Sequence, residues 1–203
     1  TSGPPHDRSS TLLLGLIGAG IQASRTPSMH EREARAQGLA CTYRLFDLDV
    51  LGQGVEALPA LIAAAEAGGY AGLNITHPCK QTVIGHLNTL DDDARAIGAV
   101  NTVVFRDGAR SGHNTDWFAF RESVRRGLPD APLGRVVQLG AGGAGAATAY
   151  AILKQGAERL EIVDPVTTRA ADLAQRLAAQ FPGRVVASEA SRAAIAAADG
   201  LIH

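Results

Sequence analysis

Asn74-Ile75-Thr76-His77-Pro78-Cys79-Lys80 sets one amine behind two hydrogen-bonding side chains and a proline-fixed turn. A lone lysine is ordinarily a solvated surface residue. Lys80 differs in its company, because a bare surface loop needs neither Asn74 nor Thr76. His77 has the type of a general base, but no spacing places a partner beside it, so it reads as a turn residue. Ser24-Arg25-Thr26-Pro27 carries two hydroxyls just before a proline. Thr26 can cap a helix that begins at Pro27, and Ser24 and Thr26 can also donate to an anionic ligand at that helix end. Spacing leaves both readings open. Asn101 and Thr102 interrupt an apolar run, and buried polar groups need partners, so they call for a ligand or a turn network. In Asn114-Thr115-Asp116-Trp117, Asp116 can cap the helix that follows or pair with Lys80.

A second kind of chemistry is written in Val136-Val137-Gln138-Leu139-Gly140-Ala141-Gly142-Gly143-Ala144-Gly145. Gly140, Gly142 and Gly145 fit G-x-G-x-x-G between a strand-like run and a helix-like one. The first glycine allows a tight turn, the second lets backbone approach a pyrophosphate, and the third lets the helix pack on its strand. The helix N-terminus, with Gly143 and Ala144, offers N–H groups and positive partial charge. With 23 glycines in the chain, the spacing alone is weak. The context strengthens it: Gly156 ends the helix, and a second apolar run stops at Asp164, about twenty residues on, where a dinucleotide unit places the carboxylate that holds the ribose. The plain alternative is a glycine-rich turn that binds nothing.

These residues need a frame. Residues 12–17 read as a buried strand, followed by Gly18-Ala19-Gly20, a tight turn that lacks a third phosphate-loop glycine because position 23 is Ala. A helix over 27–37, a strand over 42–46, a helix over 58–67 and a strand over 70–75 follow. Asp91-Asp92-Asp93 reads as the solvated start of a helix ending near Gly98, not as a metal site, since no ligand cluster follows. Residues 99–105 read as a strand, 106–110 as a hairpin turn around Asp107-Gly108, and 117–126 as a helix. Residues 127–134, with two prolines, form a linker. Strand and helix alternate throughout, so the fold is α/β: two α/β domains, an N-terminal one over 11–126 with a mostly parallel sheet, and a Rossmann-like dinucleotide domain over 132–203. Ligands of such sheets bind at the carboxyl ends of the strands, which is where Lys80 stands.

Composition excludes several classes. A net charge of −1 with 19% charged residues gives no basic stripe, which argues against nucleic acid as partner. No apolar run approaches the ~18 residues of a membrane span. Cys41 and Cys79 read as free thiols of a reducing cytoplasm. Residues 1–10, rich in Ser, Pro and Gly, read as a disordered tail.

Taken in order, the motifs resemble the shikimate dehydrogenase family. Ser24-Arg25-Thr26-Pro27 is similar to its Ser-x-Ser-Pro loop, and Asn74-x-Thr76-x-Pro78-x-Lys80 to its Asn-x-Thr-x-Pro-x-Lys motif. Gly98-Ala99-Val100-Asn101-Thr102 and Asn114-Thr115-Asp116 match two further substrate-side motifs, and Gly140 to Gly145 its cofactor loop. The resemblance implies Lys80 and Asp116 as the catalytic pair at the hydroxyl that becomes a ketone. It implies Ser24 and Thr26 as carboxylate binders, and Asn74, Thr76, Asn101 and Thr102 as further substrate-side groups. It implies Gly140, Ala141, Gly142, Gly143, Ala144, Gly145 and Asp164 as the cofactor site. Two departures resemble the quinate/shikimate dehydrogenase branch. Thr26 stands where biosynthetic members usually have Ser. Asp164-Pro165-Val166 stands where NADP users usually carry an Asn-Arg-Thr type sequence. A carboxylate there favours NAD and repels a 2′-phosphate, while Arg169 could hold such a phosphate in an NADP enzyme. The expectation is NAD-dependent oxidation of quinate or shikimate. The alternatives are an NADP-dependent biosynthetic enzyme and a non-catalytic dinucleotide module or inactive fragment, because the family continues beyond the strand that ends this sequence. The resemblance leaves a homodimer open.

Overall fold

A computed structural model describes residues 11–189 and 192–203. The expected tail over 1–10 lies outside these residues. Two compact units divide the chain, one from residues up to 89 with 102–112, the other from 90–101 with residues 113 onward.

In chain order, β1 (Leu12–Gly18), α1 (Thr26–Ala36), β2 (Cys41–Asp47), the single turn α2 (Leu48–Leu51), α3 (Leu58–Ala67) and β3 (Gly72–Ile75) build most of the first unit. β4 (Thr89–Leu90) and α4 (Asp92–Ile97) come next, then β5 (Thr102–Arg106) and β6 (Ala109–His113). The sheet order is β2-β1-β3-β5-β6-β4. β1 is paired in parallel on both sides, Leu12 to Cys41 through Gly18 to Asp47 on one edge and Leu14 to Gly72 through Ile17 to Ile75 on the other. β3 and β5 run antiparallel, so the parallel pairing of the first strands turns mixed after β3. The apolar runs that predict these strands bury Ile17, Leu73 and Ile75 almost completely, with Leu58 and Ile62 of α3 fully buried. α3 spans the residues its sequence predicts, with Pro59 in its first turn and Gly68-Gly69 behind it. Asp107 and Gly108 both take positive φ, 53° and 72°, the requirement of a tight hairpin turn.

The second unit continues with α5 (Asp116–Gly127), β7 (Arg135–Leu139), α6 (Gly143–Gln155), β8 (Arg159–Val163), α7 (Thr167–Ala178), β9 (Val185–Ala187), α8 (Arg192–Ala196) and β10 (Gly200–Ile202). Its sheet is parallel, in the order β10-β7-β8-β9. Four buried alanines of α6 (146, 147, 149 and 151) leave no bulk between helix and neighbours, and Tyr150, Leu153, Leu160, Ile162, Leu173 and Leu177 fill the core.

Three local expectations are corrected. The strand read over 99–105 begins only at Thr102. Gly98 ends α4 in the left-handed region, φ 69°, and Asn101 is tied by its N–H to the His113 carbonyl at 3.0 Å, so Ala99 and Val100 pass through the core instead of along the ladder. The acidic run is more than a solvated helix start. Asp91 caps α4 by accepting the Ala94 N–H at 2.6 Å and faces His113 Nδ1 at 2.8 Å, while Asp93 accepts the Tyr150 hydroxyl at 2.6 Å. The caps of α1 and α5 fall on other residues, as described below. Among the described residues, no helix is long and apolar enough to cross a membrane.

Candidate active site

β7 delivers the chain into Gly140, whose φ of 105° is open to glycine at little strain. A side chain at Gly145 would overlap the Gly140 carbonyl oxygen, so the first and third glycines touch; a side chain at Gly142 would meet open space. The second glycine therefore faces free volume, as a backbone that must meet a pyrophosphate requires. Gly142 precedes α6 with no side chain capping the helix, whose first turn holds Gly143, Ala144 and Gly145. At the end of β8, Asp164 Oδ2 accepts the Ala141 N–H and Oδ1 the Val166 N–H, both at 2.8 Å. Each carboxylate oxygen retains a second lone pair for a ribose hydroxyl. A cavity of about 560 Å³ opens here, lined by Gly140, Val163, Asp164, Pro165, Thr167 and Glu189 among others. Arg169 stands exposed in the first turn of α7. These features fit a nicotinamide dinucleotide: a glycine cradle, a helix N-terminus and a carboxylate beside a cavity.

Asp116 is the first residue of α5 and not its cap. Asn114 does the capping: its Oδ1 accepts the Asp116 N–H at 3.0 Å, while its Nδ2 donates to the Ala99 carbonyl at 2.9 Å. The Asp116 carboxylate is held from the side. Asn101 Nδ2 donates to Asp116 Oδ1 and to Thr115 Oγ1, each at 2.9 Å, and Asn101 Oδ1 accepts the Thr115 N–H at 3.0 Å. Asn101 is only 9% exposed, so the centre of this network is shielded from water, while Thr115 at its edge is exposed.

In the first unit, the cap of α1 is Ser24 rather than Thr26. Thr26 is already helical, and Arg25 flanks the helix without a side-chain cap. Ser24 Oγ accepts the Thr26 N–H at 3.2 Å and donates to Thr26 Oγ1 at 3.0 Å. The two hydroxyls therefore form one donor–acceptor pair at the helix start, and Thr26 keeps its own hydroxyl hydrogen as a donor. Asn74 sits on β3, where Tyr43 Oη donates to its Oδ1 at 2.7 Å and its Nδ2 donates to Thr102 Oγ1 at 3.3 Å. Tyr43 is 7% exposed, and burial pushes its phenol well above the usual range, so it is a permanent donor. Asn74 consequently turns its N–H₂ side, not its oxygen, toward Thr102. After β3, the Thr76 carbonyl accepts the Cys79 N–H at 2.8 Å, and Cys79 is fully buried, its thiol pushed up by desolvation. The buried Cys79 anchors the turn that carries half-buried Lys80, while His77 is exposed. The neighbouring loop is fixed by buried Asp47, which accepts N–H groups of Gly20, Ile21 and Asp49 and the Gln22 amide at 2.9–3.1 Å. The Gln22 bond leads the causes that hold this carboxyl below its ordinary range.

The expected residues thus assemble as groups: Ser24 with Thr26, Asn74 with Thr102, Asn101 with Asp116, and Asp164 with the glycine loop. Lys80 belongs to the first unit and Asp116 to the second. Sequence reasoning missed Tyr43, Gln138 and Thr148 as supporting side chains, and quoted Asn114 and Thr115 as parts of a motif without a role. For Tyr43 and Gln138 the available signal was a polar group inside a buried strand.

Residues 16–103 match the family model for the shikimate dehydrogenase substrate binding domain. The shikimate dehydrogenase (NADP(+)) of Streptomyces avermitilis is 55% identical over 194 residues, covering 94% of this chain and 67% of that protein. The quinate/shikimate dehydrogenase (NAD(+)) of Corynebacterium efficiens is 45% identical over 202 residues, covering 98% and 70%. The chain therefore spans about two thirds of the length of these relatives. Among solved structures, the quinate dehydrogenase from Corynebacterium glutamicum in complex with NAD superposes with a TM-score of 0.85 at 45% identity, over 94% of this chain and 69% of that one. At this identity and coverage, the chain belongs to the shikimate dehydrogenase family.

Proposed function

We propose that the protein transfers hydride between NAD and the 3-hydroxyl of quinate or shikimate, giving the 3-dehydro compounds. The oxidoreductase class follows from family membership; the choice of NAD rests on one observation, the Asp164 carboxylate at the mouth of the cavity. A negative group there accepts from both ribose hydroxyls and repels a 2′-phosphate. Residues 132–203 serve the dinucleotide and residues 11–126 the substrate.

When bound, the dinucleotide supplies the hydride acceptor. The chain's own residues do the rest. Ser24 and Thr26, with α1 behind them, donate to the substrate carboxylate. Asn74, its amide oriented by the Tyr43 hydroxyl, and Thr102 fix ring hydroxyls, and Thr76 adds its own hydroxyl. As hydride leaves the carbon, the hydroxyl proton must leave the oxygen. Lys80 is the group that exchanges it, and the family resemblance pairs it with Asp116, whose carboxylate Asn101 holds. Replacing Lys80 with Ala should lower kcat by about 10²–10⁴ while NAD binding, read by calorimetry without substrate, stays as in the wild type. Retention of kcat within about threefold would remove Lys80 from the mechanism.

An NADP-dependent reading is favoured by one finding, the 55% identity to a relative named for NADP(+), and would use Arg169 for the phosphate. Asp164→Ala separates the two. Under the NAD reading the ratio of kcat/KM for NAD over NADP falls by about tenfold or more, one lost charge-assisted contact being worth ~1.5–3 kcal/mol. An unchanged ratio favours the NADP reading.

A further inference from the structure

Gln138 is a polar residue at a fully buried position of β7, 0% exposed. An apolar side chain would fill the same space without a desolvation cost, so the amide must be held by what it bonds. Its Nε2 donates to the Gly140 carbonyl at 2.9 Å and to the Gly145 carbonyl at 2.8 Å. Its Oε1 accepts the Thr148 hydroxyl at 2.9 Å, and that same hydroxyl lies 3.1 Å from the Gly145 carbonyl. Both amide hydrogens are therefore spent on the first and third glycines of the loop, and the oxygen is locked by the first turns of α6. That locking also fixes which way the amide faces.

The peptide between Gly140 and Ala141 shows what this achieves. Its carbonyl accepts from Gln138 and its N–H donates to Asp164 Oδ2 at 2.8 Å. A peptide unit is planar, so holding both ends fixes its rotation. It also fixes the direction in which Asp164 is drawn to the loop. Gly140, at φ 105°, has no side chain to resist rotation, which makes an external restraint on that peptide necessary.

We propose that Gln138, braced by Thr148, is the positioning residue of the dinucleotide site: it holds the Gly140–Ala141 peptide and, through it, the Asp164 carboxylate in the orientation that receives the cofactor. This deepens the reading of the loop as an NAD site and rests on it. Gln138 touches no cofactor atom in this account, so its removal should act on binding and on discrimination between the two dinucleotides, and not on the chemical step.

The test uses Gln138→Met, close in length and without donors, and Thr148→Val as the milder change. NAD and NADP are titrated calorimetrically against the wild type and each variant, and steady-state rates are measured with quinate. For Q138M the Kd and KM for NAD should rise about tenfold and the preference for NAD over NADP should shrink, with kcat and the KM for quinate within about twofold. T148V should raise the Kd for NAD about threefold. A folded Q138M with wild-type Kd and wild-type discrimination overturns the proposal. If Q138M does not fold, T148V decides, and an unchanged Kd there overturns it equally. A wild type that binds neither dinucleotide overturns the NAD reading itself, and with it this inference.

Discussion

In the proposed site, Tyr43 on β2 sets the hydrogen bonding of Asn74 on β3. Its hydroxyl donates to the Asn74 oxygen across 31 positions of sequence and so fixes the amide with its nitrogen toward Thr102. Tyr43→Phe removes one hydrogen bond in a buried place, where an unpaired acceptor costs ~1–3 kcal/mol. The expected result is a rise of about fivefold or more in the KM for quinate or shikimate, with the Kd for NAD unchanged, read from initial rates and calorimetry. In the proposed mechanism, Asn101 bears on Asp116 in the same way. Asn101→Ala leaves Asp116 without its lateral donor, so kcat should fall by about 10–100-fold with the dinucleotide Kd intact. Asp47 governs stability instead. Its carboxyl is held low by the Gln22 amide and by backbone N–H groups. The stability it contributes is therefore present above the ordinary carboxylate range and lost as pH falls through its depressed value. Asp47→Asn should lower Tm at neutral pH and flatten the acid-side decline of Tm, as followed by circular dichroism from pH 7 to pH 3. At this scale, residue type and neighbours marked Lys80, Asp116 and Asp164 as candidates, and the family resemblance gave the first two a role, whereas Tyr43 and Thr148 carried no mark, because their bonds depend on partners that only the folded chain brings near.

The elements divide the labour of the glycine loop. Gly142 and Gly145 belong to one motif but are glycine for different reasons, and the structure separates them. A methyl at Gly145 strikes the Gly140 carbonyl, while one at Gly142 enters open space. Gly145→Ala should therefore cost the fold, lowering Tm by several degrees as overpacking of ~1–3 kcal/mol implies. Gly142→Ala should leave Tm unchanged and weaken NAD binding, because its methyl occupies the volume of the pyrophosphate. Calorimetry and thermal melts on the two variants check this crossing of effects. Periodicity and turn residues gave most elements, including α3 and the strand, glycine turn and helix of β7 to α6. Capping residues were less legible. Ser24 and Thr26, or Asn114, Thr115 and Asp116, offer several suitable side chains within three positions, and which one bonds the helix start depends on local backbone angles. The run 99–105 looked like one strand because it is apolar. The left-handed Gly98 left no mark on hydropathy, and the polar Asn101 and Thr102 signalled a turn network without showing where the strand begins.

At the scale of the molecule, a mixed sheet built on β1 carries Ser24, Asn74, Thr76 and Lys80, and a parallel sheet built on β7 carries the glycine loop and Asp164. The alternation of strand and helix made that architecture readable in the sequence. The antiparallel turn of the first sheet after β3 was not readable, because an apolar strand carries the same pattern in either direction. Family membership settles the class of chemistry but not the cofactor, since relatives named for NAD(+) and for NADP(+) both align with the chain. The most direct measurement is reduction of the dinucleotide, followed by absorbance, with quinate and shikimate each offered alongside NAD and NADP. The account predicts turnover of both substrates with NAD, and a kcat/KM at least about tenfold lower with NADP. Turnover of shikimate with NADP alone would contradict it, and would show that the Asp164 carboxylate does not choose the cofactor.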